Sequence, residues 1–68
     1  MTNTELLREK VKESGLRTTF IVTKLGISRA GWYRKLDNKS PFTAEQIQIM
    51  CEILHITNLR EKEKIFFA

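Results

Sequence analysis

Apolar residues one helical turn apart recur along this chain in short segments, and each segment is followed by a glycine, a proline or a capping residue. Apolar side chains at i and i+4 form the buried face of a helix. The chain has only 68 residues, so these segments must share one small core. The pattern therefore predicts an all-α fold of five short helices in a single domain over residues 1–68. The predicted core residues are Leu7, Val11, Ile21, Leu25, Ile27, Trp32, Leu36, Ile47, Met50, Cys51 and Leu54.

Capping residues predict where the helices begin and end. A Ser or Thr followed three residues later by Glu or Gln forms a capping box, and residues 2–5 and 43–46 both fit this pattern. Gly15 and Gly26 are predicted to end the first and second helices, because glycine readily adopts the left-handed conformation. The predicted N-caps are Thr2, Thr18, Ser28, Thr43 and either Thr57 or Asn58. The predicted anchors of the fifth helix are Leu59, Ile65 and Phe66.

Composition narrows the classes of protein that this chain can represent. Cys51 is the only cysteine, which excludes an intramolecular disulfide and a cysteine-based zinc site. The longest apolar run, residues 65–68, is far shorter than the ~20 residues of a membrane span, and residues 1–5 lack the apolar core of a signal peptide. The chain also lacks a nucleophile–base pair, a phosphate-cradling glycine loop and a metal cluster. We expect a reduced, soluble, intracellular protein that is not an enzyme and that needs no cofactor, metal or small-molecule ligand.

The positive charge of the chain is concentrated in residues 17–39. The whole chain has a formal net charge of +4, whereas this window contains six basic residues and one acidic residue, a net charge of +5. A localised basic surface favours a polyanionic partner, although a merely solvated basic face would give the same count. The basic residues of the window are Arg17, Lys24, Arg29, Arg34, Lys35 and Lys39.

Residues 18–36 match the requirements of a helix-turn-helix. Two short predicted helices are joined by a tight turn at Gly26, and such helices cross at roughly 90–120°. Apolar residues stand where the two helices must touch, and Arg29, Tyr33 and Arg34 occupy the polar positions of the second helix. Trp32 is spaced as a core residue of that helix, with a stacking platform as the alternative.

Three segments carry a resemblance to a known family. Residues 25–29, 33–36 and 41–43 resemble the Xre/Cro–repressor helix-turn-helix proteins, especially small phage and prophage transcriptional regulators. The resemblance covers nearly the whole chain and implies a repressor-like DNA-binding domain whose helix-turn-helix is formed by helices 2 and 3. Two residues depart from the family pattern, since Val22 replaces a common alanine and Asn38 replaces a favoured glycine. Asparagine tolerates the left-handed conformation.

The resemblance also implies roles for individual residues. It places the third helix in the major groove of an operator in double-stranded DNA, in the cytoplasm of a bacterial host. The residues implied to contact bases are Arg29, Ala30, Tyr33 and Arg34. The residues implied to contact the DNA backbone are Arg17, Thr18, Ser28, Lys35, Asn38, Lys39 and Ser40.

The sequence leaves two questions open, the first about dimer contacts and the second about function. Because one recognition helix reads few base pairs, a homodimer on DNA is expected, and Ile65, Phe66 and Phe67 are either its contacts or core residues. The second question is function. A transcriptional regulator is favoured, and the alternative is an antirepressor or other protein-interaction module of the same fold that binds a partner repressor.

Overall fold

The computed structural model describes residues 1–68 and contains five α-helices and no β-strand. The all-α prediction with five helices is therefore confirmed. None of the helices combines the length and the apolar character that crossing a membrane requires. The helices are α1 (Thr4–Ser14), α2 (Thr18–Leu25), α3 (Arg29–Leu36), α4 (Ala44–Ile53) and α5 (Leu59–Phe66).

Three of the five helices begin at predicted caps. The Ser28 hydroxyl accepts a hydrogen bond from the backbone N–H of Gly31, and Asn58 caps α5 through its side-chain oxygen. Thr43 and Gln46 form a complete capping box at α4, in which each side chain accepts from the other residue's backbone N–H. These caps are local in sequence, which is why the pattern alone predicts them.

The first two helices begin differently from the prediction. Asn3, not Thr2, caps α1 by accepting from the backbone N–H of Leu6. Thr2 is instead buried, because its carbonyl oxygen accepts from the Asn38 side chain and the next backbone N–H donates to Ile65 O. These long-range bonds hold residues 2 and 3 against the rest of the fold. Thr18 is the first residue of α2 and is not its cap.

Glycine ends α1 and α2 as predicted. Gly15 and Gly26 both adopt the left-handed conformation, with φ of 71° and 69°. After Gly26, the backbone N–H of Ile27 donates to Val22 O at 3.1 Å. This bond closes the turn and brings the start of α3 against the end of α2.

Eight of the predicted core residues are buried, and Val11, Ile27 and Cys51 are only half-buried against them. Leu59 was predicted as an anchor but is 67% exposed, whereas Ile65 and Phe66, the other two predicted anchors, are buried. The pattern also missed three buried residues, which are Val22, Phe42 and Ile56.

Phe42 joins three parts of the chain at the centre of the core. It lies in the connection between α3 and α4, and its ring makes edge contacts with Trp32 and Phe66, at centroid distances of 5.9 and 6.1 Å. Edge-to-face aromatic pairs add stability beyond the burial of their area. The three rings therefore fix α3 and α5 to the loop that precedes α4.

Cys51 behaves as a small apolar residue of α4. Burial raises the pKa of its thiol, an effect that the charge of Lys62 opposes and that of Glu61 reinforces. A raised pKa keeps the thiol protonated at neutral pH, and a protonated thiol is a poor nucleophile.

Candidate nucleic-acid interface

Helix α3 presents one polar stripe to solvent and one apolar stripe to the core. Arg29, Ala30, Tyr33 and Arg34 are all exposed, while Trp32 on the opposite side is 2% exposed. Residues at i, i+1, i+4 and i+5 lie on one side of a helix. The four side chains implied to contact bases therefore share one surface.

A hydrogen bond across the turn orients the first of these side chains. Arg29 Nη2 donates to Thr19 Oγ1 at 2.9 Å, which links the start of α3 to the first turn of α2. No local sequence pattern joins Thr19 to Arg29, because the two residues are ten positions apart. The bond leaves the rest of the Arg29 guanidinium available as a donor.

No acidic side chain compensates the positive N-terminal end of the α2 dipole. Its N-cap residue, Arg17, makes no side-chain cap hydrogen bond, and the first turn contains no acidic residue. The first backbone N–H groups of a helix lack partners within the helix and favour an anion. Arg17 is exposed and Thr18 is half-buried at this end.

The loop between α3 and α4 follows the C-terminal end of α3. Lys39 is exposed and Ser40 is half-buried. Asn38 has a φ of 57°, in keeping with the left-handed conformation expected there, but its side-chain amide donates to Thr2 O at 3.1 Å. Asn38 is itself exposed, and its amide nitrogen is paired with residue 2.

Lys35 is buried, unlike the other basic residues of the window. The residue is 9% exposed, and its Nζ donates to Pro41 O at 2.7 Å. The ammonium lies 5.5 Å from the centre of the Phe42 ring. The aliphatic stem packs inside the fold, and the ammonium has these two partners within the protein.

The acidic residue of the basic window is paired. Asp37 accepts from Arg8 Nη2 of α1 at 3.4 Å, and the only other ion pair in the chain joins Lys10 to Glu61. The exposed cations of the window consequently have no carboxylate partner. Its positive potential is reduced little by the protein itself.

The C-terminal residues divide between core and surface. Ile65 and Phe66 are buried, so the monomer itself uses them and they are not available as dimer contacts. Phe67 is 61% exposed beside a groove of about 330 Å³ that Pro41 and Phe42 also line. Of the three residues considered for a dimer, only Phe67 is accessible.

No protein-family model, no curated protein and no solved structure matches this chain. Function is therefore inferred from the stripe on α3, the start of α2 and the loop between α3 and α4.

Proposed function

We propose that this protein is a sequence-specific, double-stranded-DNA-binding transcriptional regulator in which α2 and α3 act as a helix-turn-helix. The observation that carries the proposal is the division of α3, with its arginines on an exposed stripe and Trp32 and Leu36 buried. The major groove of DNA is wide enough to admit an α-helix. A helix held by its apolar side can present the opposite stripe to base edges.

The exposed stripe suits direct reading of bases. Arg29 and Arg34 each offer a guanidinium fork that matches the N7 and O6 acceptors of guanine, and Ala30 and Tyr33 offer apolar contact to a thymine methyl group. The bond from Arg29 to Thr19 reduces the freedom of its side chain before DNA is bound. Less conformational entropy is then lost on binding.

Two segments outside α3 suit contacts to phosphate. One is the open N-terminus of α2, with Arg17 and Thr18, and the other is the loop after α3, with Lys39 and Ser40. Ser28 caps α3 through its oxygen, so its hydroxyl proton can still be donated. Phosphate contacts of this kind set the register of a protein on DNA and leave sequence reading to the groove residues.

Selection from a random duplex library tests the proposal and supplies the operator for further measurements. On the selected site, we expect Arg29→Ala and Arg34→Ala each to cost about 1–3 kcal/mol of binding free energy and to relax preference at particular base pairs. On random DNA, both losses are expected to be much smaller. Arg60→Ala, which removes an exposed arginine of α5 outside the basic window, is the matched control. Equal losses on operator and random DNA would make both arginines phosphate contacts.

We further expect two copies to bind DNA together through the exposed Phe67. Each copy brings one α3 to a half-site, with half-sites about 34–36 Å apart. A chain of this size offers less than a standard interface of about 1,600 Å², so the free protein is expected to be a monomer or a weak dimer.

The Phe67→Ala variant tests this contact without disturbing the core, since Phe67 is exposed whereas Phe66 is buried. We expect lower cooperativity on a duplex with two half-sites and an unchanged melting temperature. Leu59→Ala, at an exposed apolar residue of α5, is the control. Unchanged cooperativity, with mass measured by sedimentation, would exclude Phe67 from the interface.

One observation favours the alternative of a protein-interaction module. Phe20 on α2 is 42% exposed, with the Lys24 ammonium 5.6 Å from the centre of its ring. Exposed aromatic side chains are typical of protein–protein interfaces. Tight binding to a partner repressor without any affinity for duplex DNA would support this alternative over the regulator.

A further inference from the structure

Lys35 is the only charged residue that the fold buries, and no carboxylate accompanies it. Removing an ammonium group from water is costly unless other groups replace the lost hydration. The burial of Lys35 therefore implies that its contacts have a role in the protein.

Two groups of the protein contact the Lys35 ammonium. Pro41 O accepts its hydrogen bond at 2.7 Å, and the Phe42 ring provides a cation–π contact with 5.5 Å between Nζ and the ring centre. Both partners belong to the segment that leads into α4. Phe42 is in turn held between Trp32 and Phe66, so this end of the contact is fixed in the core.

The contact closes the loop between α3 and α4 at its base. Lys35 belongs to the last turn of α3, and its side chain reaches the far end of the loop at Pro41. Its backbone oxygen also accepts from the N–H of Asn38, and the N–H of Lys39 donates to Arg34 O at 2.9 Å. The exposed Lys39 and the half-buried Ser40 lie within this closed segment.

We propose that Lys35 is a positioning residue that holds Lys39 and Ser40 in place beside the exposed stripe of α3 and that does not itself contact DNA. This inference rests on the proposed function and assigns a role to a residue inside the fold. A phosphate contact from a fixed loop loses less conformational entropy on binding than one from a mobile loop. Lys35 therefore affects DNA binding only through the position of the loop that it closes.

The free protein tests the closure without any DNA. In Lys35→Met, which keeps an apolar stem over Phe42 but loses the donor, we expect the Lys39 amide hydrogen to exchange at least about tenfold faster. Amides of α4 are expected to keep their exchange rates. An unchanged rate at Lys39 would overturn the proposal.

DNA binding separates positioning from direct contact. Each lost phosphate contact flattens the log–log salt dependence by ~0.9 and weakens binding about eightfold at about 0.1 M salt. We expect Lys39→Ala to flatten the slope by this step, and Lys35→Met to weaken binding without changing the slope, because a mobile loop still brings Lys39 to the phosphate at a larger entropic cost. Direct contact by Lys35 would instead make Lys35→Met flatten the slope by a step of its own, and that result would overturn the proposal. Lys64→Met, at an exposed lysine of α5, is expected to leave the slope unchanged.

Acetylation footprinting of the unaltered protein gives a third measurement, which does not depend on a variant that folds. We expect Lys35 to react at least about tenfold more slowly than Lys39 in the free protein, because burial limits reagent access. Adding operator DNA should protect Lys39 and leave Lys35 unchanged. Equal reactivity in the free protein would overturn the buried placement. If the wild-type protein binds no DNA, the proposed function fails, and the exchange measurement still decides whether Lys35 closes the loop.

Discussion

Replacing Trp32 with alanine is expected to unfold most of the protein before any effect on DNA binding can be measured. Trp32 is almost fully buried and its ring meets Phe42 edge-on. Loss of a buried tryptophan costs about 3–5 kcal/mol, and a chain of this size has a total stability of only about 5 kcal/mol. Thermal and urea unfolding followed by circular dichroism measure the loss.

The neighbouring residue provides the control for this variant. Tyr33 is 50% exposed, so Tyr33→Ala is expected to change the free energy of unfolding by no more than about 0.5 kcal/mol. The pair separates the two sides of α3, since adjacent residues point to different surfaces. If Trp32→Ala kept its melting temperature while losing affinity for DNA, Trp32 would be a groove residue and the core would have to rely on other contacts.

The position of Trp32 shows which features of the fold can be predicted from the sequence. Its i+4 spacing to Leu36, the cap at Ser28 and the glycine at 26 are all local signals, and together they predict the limits and the buried side of α3. The same reasoning was wrong at Thr2 and at Thr18. At Thr2, contacts with residues 38 and 65 override the local capping pattern.

The sequence predicts those parts of the candidate interface that depend only on helix geometry. Arg34 lies one turn beyond Ala30, so the spacing alone places both on one face, and both are exposed. The orientation of Lys35 was not predictable, since it depends on Pro41 and Phe42 folding back over the end of α3. The partner of Arg29 was missed for the same reason, because Thr19 meets it only after the turn at Gly26 closes.

The second large effect that we expect is a steep dependence of DNA affinity on salt concentration. The exposed basic residues of the window are Arg17, Lys24, Arg29, Arg34 and Lys39, whereas Lys35 is buried. If about four to five phosphates are neutralised per chain, the slope of log affinity against log salt is expected to be about −4, at ~0.9 per phosphate. Affinity should then fall about 250-fold between about 50 and about 200 mM salt. Fluorescence anisotropy with a labelled duplex measures this slope directly.

Single lysine replacements locate the origin of the salt dependence. Lys39→Ala is expected to weaken binding to operator and random DNA about equally, because a phosphate contact carries no base preference, and to flatten the slope by about one. Lys64→Ala, which removes the same charge outside the window, should leave the slope unchanged, because α5 is not part of the proposed interface. The comparison holds net charge constant between the two variants, so a difference between them reports where the DNA lies. Nearly salt-independent binding by the wild-type protein, or equal flattening by both variants, would contradict an interface formed by residues 17–39.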